Sequence, residues 1–72
     1  PAMGEILAQG DANQVFLVQD GRRLTPGRLP AGTYDIEAHF SKGWVLAGQV
    51  QLAEGARVII ECESSQATCR ID

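Results

Sequence analysis

Asp35, Glu37 and His39 stand two residues apart, and they are the first residues in this chain whose types and spacing could do chemistry. On a β-strand they share a face, so two carboxylates and an imidazole could hold a metal ion or pass a proton. The intervening positions Tyr34, Ile36, Ala38 and Phe40 are all apolar. A strand with one apolar and one polar side covers a core and meets water, so the expectation for the three polar residues is a solvated face. Cys62 and Cys69 are the only cysteines, and the six residues between them fit no compact zinc knuckle. With His39 they would still lack a fourth ligand. Ser41, Ser64 and Ser65 lie in turn-like contexts, none at a Gly-x-Ser-x-Gly elbow. The glycines are scattered, with no phosphate-cradling run. No catalytic residue, cofactor or metal site is expected.

Two features could instead serve binding. Arg22, Arg23, Thr25 and Arg28, with Lys42 further on, could meet the carboxylates or phosphates of a partner; otherwise they form a solvated loop. Trp44 is a residue type that anchors interfaces and stacks on sugars, but it also fills sandwich cores. It opens an apolar alternation, which favours the core. A net charge of −3 argues against nonspecific nucleic-acid binding. The longest apolar run is far short of a membrane span, so no direct insertion is expected.

These residues must be positioned by strands. Helical spacing is nearly absent, and turn signals recur every eight to twelve residues or so, as in an all-β sandwich or barrel. Pro1-Ala2-Met3-Gly4 reads as a cloning remnant, leaving residues 5–72 as one domain excised from a longer protein. Strands are predicted at Glu5 to Ala8, Gln14 to Gln19, and around Arg22 to Leu24. Others are predicted at Thr33 to Phe40, Trp44 to Leu52, Arg57 to Glu63 and Ala67 to Ile71. Val15-Phe16-Leu17-Val18 is apolar throughout, so both its faces should be covered. Asp20-Gly21 signals a two-residue hairpin. The prolines at 26 and 30 keep the stretch around them out of any central strand. Gly48 within its alternating run hints at a bulge. Six or seven short antiparallel strands are expected.

Three ordered blocks resemble the PEGA domain family, small β-sandwich modules of bacterial and archaeal surface proteins. They are Val15 to Gly21, ending in Asp-Gly; Thr25-Pro26 followed by Leu29-Pro30-Ala31-Gly32-Thr33-Tyr34; and Gly43-Trp44. The name-giving motif's usual place here reads Gly10-Asp11-Ala12-Asn13. The Ala-Gly-Thr-Tyr turn is also similar to transthyretin-like and carboxypeptidase-regulatory modules. The resemblance implies an Ig/prealbumin-like sandwich and an exported accessory domain, such as the outer end of a membrane Ser/Thr kinase. It implies no catalytic residue.

Cys62 closes the apolar face of one predicted strand, and Cys69 lies in the strand returning from Ser64-Ser65-Gln66. Residues opposed across an antiparallel pair have Cα atoms about 4.5–5.5 Å apart, within reach of a disulfide. A bridge would place the protein outside a reducing cytoplasm; two inert buried thiols are the competing reading. The functional expectation is a noncatalytic sensor or interaction module, monomeric in isolation, in the periplasm or at the cell surface, binding a protein or a cell-wall glycan. The alternatives are a structural spacer, or a cytosolic domain with Cys62 and Cys69 as a redox switch.

Overall fold

The computed structural model describes residues 2–71. Eight strands are present among them: β1 (Met3–Gly10), β2 (Gln14–Gln19), β3 (Arg22–Leu24), β4 (Gly27–Pro30), β5 (Gly32–Phe40), β6 (Gly43–Leu52), β7 (Arg57–Glu63) and β8 (Thr68–Ile71). They form two four-stranded sheets, ordered β4-β1-β7-β8 and β3-β2-β5-β6. The all-β reading holds, and the two sheets pack together as a small sandwich. The strand count and the purely antiparallel pairing need correction.

The extra strand is β4, which occupies the proline-bearing stretch expected to be a loop. It is an edge strand, where Pro30 costs no ladder bond on its open side. The parallel pair is β1 with β7, in register from Glu5↔Arg57 to Gly10↔Cys62. Such a pair joins strands remote in the chain, so no hairpin signal announces it. The first strand also begins at Met3 and runs to Gly10, longer than the segment read from Glu5 to Ala8.

The core lies between the sheets. Ile6, Leu29, Ile60, Cys62 and Cys69 enter from one side, and Leu17, Tyr34, Ile36, Ala38, Phe40, Ala47, Val50 and Leu52 from the other. Tyr34, Ile36, Ala38 and Phe40 are all buried, as the alternation of β5 dictates. Asp20 and Gly21 both have positive φ (52° and 76°), which a primed hairpin turn requires.

Burying Tyr34 takes its hydroxyl out of water, and the hydroxyl donates a hydrogen bond to the Pro30 carbonyl four residues earlier. Burial pushes its ionisation above the usual phenol range. The bond ties the strand change between β4 and β5 to the core. Tyr34→Phe should cost about 1 kcal/mol, the net worth of one such bond. It would read as a lower urea midpoint with an unchanged slope.

At the β1–β2 crossover, Asp11 reaches the far hairpin. The Ser64 N–H donates to its Oδ1 at 2.8 Å and the Ser64 hydroxyl to its Oδ2 at 2.7 Å. The hydroxyl bond, then the amide bond, hold the Asp11 carboxyl below its usual range. A carboxyl depressed in the folded state adds stability above its unfolded pKa, and loses it as pH falls through the folded value. Wild type should therefore exceed Asp11→Ala in thermal midpoint at neutral pH. The two curves should converge as pH falls through the folded-state value of Asp11.

Candidate functional site

Two outer faces remain once the core is filled, and they differ in chemistry. On the β4-β1-β7-β8 sheet, Arg57 meets Glu5 at 3.3 Å, and Arg70 meets Glu61 and Glu63 at 3.0 and 3.4 Å. These exposed pairs contribute little stability, but they make that face a charged, hydrated one. Leu7 and Ile59 sit side by side across β1 and β7, each half-buried.

The other sheet carries aromatic rings outward. Phe16 of β2 stacks on Trp44 of β6, with centroids 5.4 Å apart and planes 19° from parallel. His39 of β5 lies against the same indole at 4.9 Å, tilted by 43°. The Arg23 guanidinium stands 6.0 Å from the Trp44 ring centre and pairs with Glu37 at 3.1 Å. Leu46, 71% exposed, extends the patch along β6. Phe16, Glu37 and Leu46 form one cross-strand row, and Gln14, His39 and Trp44 the next. Aromatic rings, a guanidinium and an exposed leucine thus share one side of the sandwich.

Trp44 is on the surface, 48% exposed, rather than in the core as its alternation suggested. The cause is a bulge. The β5–β6 register runs Ile36↔Gly48 and then Glu37↔Leu46, so Ala47 is the extra residue. Beyond it the inward phase switches: Val50 and Leu52 point to the core on one side, Val45 and Ala47 on the other. One inserted residue therefore turns Trp44 and Leu46 outward.

The arginine group separates. Arg23 joins the aromatic patch. Arg22, its neighbour on β3, lines a depression with Gln19, Leu24 and Pro30. Arg28 belongs to β4 in the opposite sheet, in register with Glu5. Thr25 lines an open hollow with Pro26, Gln9 and Gln14. Lys42 lies in the β5–β6 turn near Ser64 and Ala67. Of the six sequence candidates, only Arg23 and Trp44 meet.

Asp35, Glu37 and His39 do share a face, but their neighbours engage them. Gln49 donates to Asp35 at 3.3 Å, Arg23 holds Glu37, and His39 packs on Trp44. No group of three or more His, Cys, Asp or Glu positioned to hold a metal ion occurs among the described residues. Cys62 and Cys69 are bridged. Ser64 is engaged with Asp11, capping a turn.

Phe16 and Leu46 belong to the patch and were not singled out from the sequence. The signals were present in the four-residue apolar run of β2, which must send apolar side chains to both faces, and in Gly48, where a bulge reverses the phase of everything before it. The patch has the composition of an interface centre, with Trp and Arg among the residues that dominate binding energies. Comparison of the chain with protein-family models, curated proteins and solved structures returns no match.

Proposed function

We propose that this chain is a noncatalytic binding module of a bacterial envelope protein, and that it engages a protein or cell-wall glycan through the aromatic face of the β3-β2-β5-β6 sheet. The observation that carries the reading is Trp44. It is held between Phe16, His39 and Arg23, yet leaves 48% of its surface to solvent. A ring already immobilised by neighbours loses little freedom when a ligand covers it. Arg23 and Glu37 at its border supply charged hydrogen-bonding groups for orientation.

The context is also part of the proposal. The two-sheet sandwich, the Asp20-Gly21 hairpin and the Tyr34 link to Pro30 support an Ig/prealbumin-like module of the PEGA kind. The Cys62–Cys69 bridge supports an oxidising, extracytoplasmic location.

Trp44 is the only tryptophan, so its fluorescence reports on the patch directly. Solubilised cell-wall glycan and fractionated envelope protein should each be titrated against the chain. One of the two should shift the emission with saturation. Calorimetry with that fraction should show Trp44→Ala weakening binding about tenfold or more, the loss of an interface anchor. Arg28→Glu, on the opposite sheet, should leave it unchanged. Binding indifferent to Trp44→Ala would remove the patch from the account.

A further inference from the structure

A sandwich leaves sheet edges open, and each edge is a row of backbone donors and acceptors able to pair with another chain. Four strands lie at edges here: β3, β4, β6 and β8. Three of them carry protection. β3 has three residues, two of them arginine; β4 has four, including Arg28 and Pro30; β8 has four, including Arg70. Short length, charge and proline are the usual means of discouraging edge pairing.

β6 is built otherwise. Its ten residues, Gly43–Leu52, include no charged residue and no proline. Among the described residues, β5 is the only strand that pairs with it. It bears Trp44 and Leu46, two of the three exposed large apolar side chains among the described residues. Leu46 is 71% exposed on the outer face to which the bulge turns it. The bulge at Ala47 ends the regular run, leaving Gly43 to Leu46 as a continuous ladder with β5.

We propose that this first half of β6 pairs antiparallel with the same segment of a second copy, joining two β3-β2-β5-β6 sheets across a two-fold axis. A copy of this strand is the occupant its chemistry fits best. The segment is neutral, so self-pairing brings no like charges together, and each copy's net −3 resides outside it. A two-fold seam also sets apolar side chains against apolar ones on the outer face, covering Leu46 of both copies, and it closes after two chains. The bulge limits the seam to a few residues. The interface is therefore small and the dimer concentration-dependent. Both aromatic patches would then lie on one continuous sheet, available for bivalent binding.

Sedimentation equilibrium of the whole chain, from about 10 µM to about 1 mM, tests this without any ligand, so its outcome is independent of the binding reading. The average mass should rise from 7.7 kDa towards twice that value. Amides of residues 43–46 should exchange more slowly at the high concentration. Leu46→Lys places a charge on each side of the seam and should hold the mass at the monomer value. Ile71→Lys, at an apolar site 53% exposed on β8, should leave dimerisation intact. Retention of the thermal transition establishes that both variants are folded. A monomer throughout the range, a dimer persisting in Leu46→Lys, or a dimer without slowed β6 exchange would each overturn the proposal.

Discussion

Opening the Cys62–Cys69 bridge is expected to lower stability by roughly 2.5 kcal/mol, the chain-entropy value for so short a loop. The two residues are direct partners in the β7–β8 ladder, with Cα atoms 3.9 Å apart, and both side chains face the core. Domains of this size hold only about 3–5 kcal/mol in their single core. Loss of the bridge should thus leave a measurable unfolded fraction at ordinary temperature. Equilibrium unfolding of Cys62→Ser/Cys69→Ser should show a markedly lower midpoint. The oxidised chain should have an intact mass two hydrogens below its reduced form. A structural bridge, buried at 1% and 9% exposure, should resist a glutathione buffer, whereas a regulatory one would open in it. Reduction at a glutathione-like potential would favour the redox-switch alternative and remove the support for an exported location.

Gly10→Ala should be at least as damaging. A Cβ there would lie 2.1 Å from the Cys62 carbonyl oxygen and 2.8 Å from its nitrogen, both backbone atoms that no side-chain rotation can clear. Its φ of +112° is itself disfavoured for alanine. Backbone strain of this kind costs about 1–3 kcal/mol. Parting β1 from β7 would also weaken the Asp11 N–H bond to Cys62 and disturb the Asp11–Ser64 pair. The loss should therefore exceed what backbone strain alone would cost. Gly55→Ala is the control, because Gly55 also has positive φ (75°) but open space around it. Denaturant midpoints should rank wild type above Gly55→Ala, and both far above Gly10→Ala. Equal losses for the two glycines would mean that conformational preference, not backbone contact, governs the site. Gly10→Ala should not add simply to removal of the disulfide, since both act through Cys62.

Local chemistry made much of the fold legible. β5 alternates without interruption, so Tyr34, Ile36, Ala38 and Phe40 could be assigned to the core by period alone, and all four are buried. Asp20-Gly21 announces its turn because few residue pairs accept two positive φ angles. β2 and β7 occupy the residues read from their patterns, Gln14–Gln19 and Arg57–Glu63. The cysteine pairing followed from one hairpin, and therefore from short-range geometry. These features depend on a residue and its near neighbours, which is the information a linear pattern contains.

The candidate site was decided at longer range. Whether Trp44 faces the core or water depends on Ala47, three positions away, and on how β5 absorbs an extra residue. A glycine in a strand signals a possible bulge, but the register that results belongs to the pair of strands. The meeting of Phe16, Glu37, His39, Trp44 and Arg23 draws on four strands of one sheet. Arg28, only five residues from Arg23, crosses to the other sheet because β3 and β4 are edge strands of different layers. The β1–β7 parallel pair, which places Gly10 against Cys62, spans almost the whole chain. Strand period sets which side chains share a face, and the sequence alone determined that. Which faces meet, and which side of the sandwich becomes a surface for binding, is set by pairing between distant strands, and only the tertiary structure decided it.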